Sequence, residues 1–191
     1  MGQISLSDYR GQWVILFSHP ADFTPVCTSE FVALSRAAQE FSALNCQLLA
    51  VSVDSLYSHL AWIKAIHDGF GVAVTFPIVE DPSLAIGRAY GMISETSPDA
   101  ATMRSTYFID PDGVIRAIMT YPATIGRSVA EMLRVAAALQ KVDAEDVVTP
   151  EGWQPGGDVL LPPHADQSML WKDGGDPLWF FRSRPDRQAK A

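Results

Sequence analysis

Apolar and polar positions along this chain follow two different periods, and the switches between them mark its elements. Trp13 to Ser18 (WVILFS) is a short apolar, partly β-branched run, the pattern of a strand buried on both faces. Ile4 to Leu6 predicts a shorter strand before it, with a polar turn between. His19-Pro20 ends the main run, because proline removes an amide donor and turns the preceding residue away from helix. From Pro25 the period lengthens, and Phe31, Leu34, Ala38, Phe41 and Leu44 line one helical face to about Asn45. Cys46 to Val53 predicts a second buried strand. Asp54 and Ser55 stand as caps for a helix carrying Leu56, Leu60, Ile63 and Ile66, closing near Gly69. Phe76 to Val79 is another short strand, and Asp81-Pro82-Ser83 opens a brief helix that Gly91 ends. Ser105 to Ile109 and Val114 to Met119 flank Asp110-Pro111-Asp112-Gly113, a hairpin turn set by its proline and glycine. Helix returns from about Arg127 to Gln140.

Strands alternating with helices and finishing in a hairpin give an α/β fold with a mixed central sheet flanked by helices. Beyond Pro150 the pattern stops. The stretch from Pro150 to Pro185 holds six of the thirteen prolines and three of the five tryptophans, too aromatic for a solvated linker. It predicts an irregular C-terminal arm that packs on its own domain or on a partner subunit. The expected division is therefore 1–148 for the main domain and 149–191 for the extension.

Composition narrows the functions open to such a fold. The chain has 191 residues, of which 48% are apolar, enough for a core. Its 14 basic residues stand against 22 acidic ones, a net charge of −8 that argues against a nucleic-acid partner. The one basic patch, Arg182, Arg184, Arg187 and Lys190, reads as a solvated terminus. No apolar run approaches the ~18 residues a membrane span needs, and no leader pattern frames the first strand. A cytoplasmic protein is expected. Two cysteines, Cys27 and Cys46, are too few for a disulfide scaffold or a cysteine-based zinc site and fit a reducing compartment.

Cys27 is the candidate for chemistry. It falls in the first turn of the predicted helix, where partial positive charge and free amides favour thiolate over thiol. Thr24, three residues earlier, can turn its hydroxyl toward the sulfur or a bound oxygen, and Pro20 and Pro25 stiffen the loop. Such a site suits attack on a small polarised bond with donors aimed at the leaving oxygen. Placement alone fits a buried structural cysteine as well. Glu30 is expected to favour the helix start, Trp62 and Tyr90 to pack, and His59, His67 and His164 show no metal-ligand spacing, so no metal or organic cofactor is expected.

The run His19-Pro20-Ala21-Asp22-Phe23-Thr24-Pro25-Val26-Cys27-Thr28-Ser29-Glu30 resembles the active-site loop of the peroxiredoxins, Pro-x-x-x-Thr-x-x-Cys, and its flanks are similar to the 1-Cys branch. Val51-Ser52-Val53-Asp54-Ser55, His59-Leu60-Ala61-Trp62, Phe76-Pro77-Ile78, Arg104 before STYFIDPDG, and Tyr121-Pro122-Ala123-Thr124-Ile125-Gly126-Arg127 follow in family order. The resemblance runs from about residue 4 to at least Trp153. It implies a thioredoxin-like fold and reduction of hydrogen peroxide and organic hydroperoxides through a cysteine sulfenic acid. By the same resemblance Cys27 matches the peroxidatic cysteine, Thr24 the threonine that hydrogen-bonds the peroxide, and Arg104 the arginine that steadies thiolate and developing charge. Pro20 matches the proline shielding the sulfur, His19 the histidine before it, and Arg127 a second arginine near the site; Val26 belongs to the same support. Family members carry further residues before the segment matching Ile4. Some 1-Cys relatives also show phospholipase activity, but Ser7 stands at their histidine position and no serine adjoins Trp13, so none is expected here.

Cys46 is the other thiol and must be weighed as a resolving partner. One helix between the two cysteines, at a rise of about 1.5 Å per residue, separates them by roughly 27 Å, whereas a disulfide needs α-carbons within about 7 Å. Cys46 is expected to be a buried strand residue, and an external thiol or other reductant to recycle the enzyme. The family pairs into dimers or larger assemblies, so a homodimer or higher homo-oligomer is expected. Two rivals remain: a thiol–disulfide oxidoreductase, which lacks a second cysteine in C-x-x-C position, and a non-catalytic redox sensor or holdase-type binding protein using Cys27 oxidation.

Overall fold

The computed structural model describes residues 2–93, 100–163 and 177–186. It divides into two compact units, Met1–Val129 and Ala130–Ala191. In the first, strand β1 (Trp13–Ser18) is buried along its whole length, as its unbroken apolar run predicts. It lies parallel to β2 (Cys46–Ser52) and antiparallel to β4 (Arg104–Ile109). Short β3 (Ile78–Glu80) pairs parallel with β2, and β5 (Ile115–Tyr121) antiparallel with β4. The result is a mixed five-stranded sheet in the order β3-β2-β1-β4-β5, a thioredoxin-like α/β fold.

Alternation along β1 sends successive side chains to opposite faces. Val14 and Leu16 join Leu49, Val51, Tyr107, Ile109 and Met92 in one core cluster. On the other face Phe17 meets Phe31 and Phe76, with ring centroids 5.8 and 5.7 Å away. Phe31 in turn packs at 4.4 Å on Trp62, which settles Trp62 as a core residue. These rings tie helices α1 (Pro25–Arg36) and α3 (Leu56–Phe70) to the end of β1 that carries the cysteine loop.

Three boundaries differ from the sequence reading. Ile4–Leu6 forms no strand; Ser5 instead caps a 3-10 turn over Leu6–Tyr9 through a capping box with Asp8. The long helix expected to Asn45 breaks at Ala37 into α1 and α2 (Ala38–Ala43), with no proline or glycine at the break to interrupt the apolar period. Helix α3 runs past Gly69 and stops at Gly71, whose φ of 64° lets its amide reach the His67 carbonyl. Short helix α4 (Ala85–Ala89) follows β3, its amide at Gly87 held by the Asp81 carboxylate at 2.7 Å.

The second unit opens on α5 (Val129–Ala144), most of which it contains. Val147, Trp153 and Val159 form its core with Ala137, Ala138 and Leu161, and the Trp153 indole donates to the Gly157 carbonyl at 3.0 Å. The arm carries a two-stranded ladder of β6 (Val159–Leu161) and β7 (Arg182–Arg184), too short for periodicity to reveal. Arg184 is no free tail cation: it pairs with Glu145 at 2.6 Å, and Lys141 bridges Glu145 and Asp186. Arg187, Lys190 and His164 lie outside the described residues. Among the described residues, no helix is long and apolar enough to cross a membrane.

Candidate active site

Cys27 is the third residue of α1. Pro25 at the first position has no amide to leave unpaired, and Thr24 precedes the helix with extended backbone. The amides of Val26 and Cys27 lie in the first turn, where an α-helix supplies no acceptor. The Cys27 side chain has no solvent exposure. Its sulfur accepts a hydrogen bond from Nη1 of Arg104 at 3.4 Å, across a sequence separation of 77. The buried Arg104 guanidinium is itself held by the Ala123 carbonyl, which accepts from Nε at 2.9 Å and Nη2 at 2.7 Å.

Glu30, expected only to favour the helix start, occupies the centre of this site. One turn after Cys27 on the same helix face, its buried carboxylate accepts from Arg104 Nη1 at 3.0 Å. It also takes three bonds from Arg127: the backbone amide at 2.7 Å, Nε at 3.0 Å and Nη2 at 2.6 Å. Arg127 completes its fork on the Ser105 carbonyl and the Thr106 hydroxyl and stacks 5.1 Å over the Phe17 ring. Burial by itself would raise the Glu30 carboxyl, but the hydrogen bonds and charge of Arg127, joined by the charge of Arg104, bring it below its usual range. Val26 is half-buried, and its Cγ1 lies beside Gly126 of the Arg127 loop, 3.4 Å from where a Cβ on that glycine would stand.

The loop before the cysteine is equally ordered. Pro20 is buried. Thr24 donates its hydroxyl proton to the Ala21 carbonyl at 2.9 Å, so its oxygen presents lone pairs rather than a donor to its surroundings. His19 is fully buried and its Nε2 donates to Asp22 Oδ1 at 2.9 Å. His59 is not incidental, as its spacing suggested: from α3 its Nδ1 donates to Asp22 Oδ2 at 2.8 Å. Among the described residues, His19, Asp22 and His59 form the one group of potential metal ligands, all within 4.8 Å, but with both inner ring nitrogens donating to the carboxylate the geometry is that of hydrogen bonds. Cys46 is a buried free thiol in β2, and burial pushes it up to about 12.

These buried groups set an acid limit. Burial opposes ionisation of Asp22, but hydrogen bonds from His19, His59 and Ser58 outweigh it and hold its carboxyl well below the ordinary range. Burial keeps His19 below its usual value against the pull of Asp22. All three groups, Glu30 included, have folded values below their unfolded ones, so the unfolded chain binds more protons and stability rises with pH. Urea midpoints are expected to fall from pH 7 downward, first below about 6.5 as the unfolded histidine protonates, then more steeply below about 4 as the carboxylates do. A midpoint flat from pH 7 to pH 4 would remove His19 from this account, and a flat one below pH 4 the two carboxylates.

Known proteins match along most of the chain. Residues 1–118 match the model of the AhpC/TSA family, and residues 138–173 the C-terminal domain of 1-Cys peroxiredoxin. Peroxiredoxin 2 of Caldanaerobacter subterraneus subsp. tengcongensis is 48% identical over 85% of this chain and 73% of its own length. The peroxiredoxin of Methanosarcina mazei is 44% identical over 95% of this chain and 89% of its own. A yeast mitochondrial 1-Cys peroxiredoxin superposes with a TM-score of 0.81 at 38% identity, covering 94% of this chain and 89% of that one. A mutant of the peroxiredoxin 6 of Arenicola marina gives a TM-score of 0.86 at 28% identity over 98% and 92%. With a family match over the larger part of the sequence and close relatives over nearly all of it, the chain belongs to the AhpC/TSA family and is a thiol-dependent peroxidase of the 1-Cys peroxiredoxin type.

Proposed function

We propose that Cys27 is the nucleophile of this peroxidase, with Thr24 and Arg104 as its catalytic partners and Pro20, His19, Val26 and Arg127 as supports. The observation that carries the reading is the Arg104 hydrogen bond to the sulfur at a helix start. The Cys27 thiolate attacks one peroxide oxygen; an S–O bond forms, the O–O bond breaks, and its electron pair leaves with the departing oxygen, which takes a proton from water. The sulfur ends as sulfenic acid, oxidised by two electrons, and the peroxide as water or an alcohol. Arg104 and the amides of the first turn of α1 stabilise the charge moving onto the leaving oxygen. Thr24, its own proton committed to Ala21, accepts from the peroxide O–H. An external thiol then displaces water from the sulfenic acid to form a mixed disulfide, and a second thiol releases Cys27. Cys46 suits neither step, buried and held protonated. The yeast relative is described as resolved via glutathione/thioredoxin systems, and a thiol of that kind is the reductant proposed here. Peroxide consumption with added dithiothreitol tests the cycle: many turnovers per Cys27 are expected, and oxidation that stops at one equivalent would overturn it.

The same reading includes a peroxidase domain over 1–148, an extension over 149–191 and a homo-oligomer. Limited proteolysis tests the division, with a stable fragment ending near residue 148 expected. For assembly, β5 ends the sheet order and pairs only with β4 among the described residues, while Ile118 on it is 55% exposed. An apolar edge strand of this kind favours edge pairing with a second copy. Light scattering is expected to give a dimer or larger species, shifted toward monomer by Ile118→Lys. A monomeric wild type, or no shift, would contradict it. A reducing cytoplasmic setting fits the two free thiols, and cell fractionation placing the protein elsewhere would count against it.

A further inference from the structure

The Cys27 sulfur has no exposed surface, yet its substrate arrives from solvent. An organic hydroperoxide brings a carbon group with it, and the chemistry decides where that group rests. The thiolate takes the terminal, hydrogen-bearing oxygen. An S–O bond forms, and the O–O electron pair leaves on the oxygen that carries the carbon, which then takes a proton from water. In that line of displacement the carbon group lies beyond the leaving oxygen, on the side away from the sulfur. It therefore rests against the side chains that border the approach to Cys27.

Two segments meet at the start of the Cys27 helix, and each carries a large exposed apolar side chain. Phe23, just before the helix start, is 59% exposed, with a left-handed φ of 57° that is uncommon for a bulky residue. Both its neighbours are fastened. The Asp22 amide donates to Asp54 Oδ2 at 2.9 Å, and the Asp22 carboxylate accepts from His19 and His59. The Thr24 carbonyl accepts the amide and the hydroxyl of Thr28 at 2.9 and 2.8 Å. Glycine or asparagine would adopt the Phe23 backbone more readily, so a phenylalanine kept there points to use of its ring.

Ile125, on the other segment, is 52% exposed. Its amide donates to the Pro122 carbonyl at 3.1 Å, the Ala123 carbonyl holds the Arg104 guanidinium, and the Arg127 amide bonds Glu30. The segments meet where Gly126 faces Val26, the residue before Cys27. Scattered exposed apolar residues are ordinary on a protein surface. Phe23 and Ile125 differ in standing on braced backbone either side of that contact, with exposed Pro25 and half-buried Val26 extending the apolar surface from Phe23 toward it.

We propose that Phe23 and Ile125 are specificity-determining residues, an apolar rim that takes the carbon group of an aryl or branched alkyl hydroperoxide. The inference rests on Cys27 being the reacting sulfur. Hydrogen peroxide has no carbon group and makes none of these contacts. The contacts form on approach and persist through the transition state, so they raise the second-order rate constant without altering the bond-breaking step.

The readout is the ratio of the stopped-flow rate constants for sulfenic acid formation with cumene hydroperoxide and with hydrogen peroxide. Ile125→Ser is expected to lower that ratio roughly 3- to 10-fold, an open rim giving less than an enclosed pocket would. Ile125→Leu, which keeps the apolar volume, restores it. Phe23→Asn removes the ring with a residue that tolerates the left-handed backbone. It lowers the ratio by a similar factor and carries the test should Ile125→Ser not fold. With tert-butyl hydroperoxide, whose carbon group is smaller, the fall is smaller in both variants. A ratio unchanged in both, whether the two rate constants fall together or neither moves, would overturn the rim. An unchanged ratio with a shift in assembly by light scattering would also overturn it, assigning the two residues to subunit contact. Failure of the wild type to form sulfenic acid at Cys27 with hydrogen peroxide would instead overturn the catalytic assignment beneath it.

Discussion

Cys27→Ser is expected to abolish thiol-dependent peroxide turnover, a loss of about 10,000-fold or more, while leaving the thermal unfolding midpoint close to that of the wild type. A serine hydroxyl stays protonated at neutral pH and offers a hard, weakly nucleophilic oxygen where the reaction needs a thiolate. The geometry around it barely changes: the side chain stays buried, and Arg104 can donate to an oxygen as it does to sulfur. Loss of activity with retained stability therefore separates chemistry from folding. Cys46→Ala supplies the contrast. That thiol lies in β2, paired in register with Trp13, and takes no part in the site, so turnover is expected to persist. Peroxide turnover by Cys27→Ser within tenfold of wild type would move the reacting sulfur elsewhere.

The second large effect concerns stability as much as catalysis. Glu30→Gln is expected to destabilise the protein by about 3–5 kcal/mol, because two buried guanidinium groups lose the single charge that compensates them. Glu30 accepts four hydrogen bonds, one from Arg104 and three from Arg127. A glutamine offers one acceptor oxygen and turns an amide N–H₂ toward donors. Arg104 then keeps only the Ala123 carbonyl as a fixed anchor, and its aim at the sulfur loosens, lowering turnover by roughly 100-fold. Urea denaturation and steady-state turnover read the two effects separately. A variant within about 1 kcal/mol of wild type would mean that Glu30 does not hold the arginine pair.

The parts of the fold that were legible in the sequence are those with local causes. Buried β1 announces itself by six apolar or small residues in a row, and the Cys27 helix start by Pro25 and the change of period. The hairpin before β5 follows from Asp110, whose carboxylate accepts the amides of Asp112 and Val114, and from Gly113 at a φ of 74°. What stayed hidden depends on partners far along the chain. Glu30 lies three residues after Cys27, a spacing that puts both on one helix face, yet nothing local says that Arg104 and Arg127 converge there. Asp22 and His59 look unremarkable singly; they become a unit only when α3 packs against the end of β1. The strand order is likewise a tertiary fact, since β4 reaches its place beside β1 only after four helices and the strands β2 and β3 have intervened. Strands β6 and β7, three residues each, are too short to show a period at all.

The most direct test is intact-mass measurement after one equivalent of hydrogen peroxide, with a sulfenic-acid trap present, on wild type and Cys27→Ser side by side. The account predicts rapid gain of a single trapped adduct in the wild type, mapped to Cys27 and absent from the variant. Slow or absent modification of Cys27 in the folded wild type, or an adduct that survives in Cys27→Ser, would contradict it.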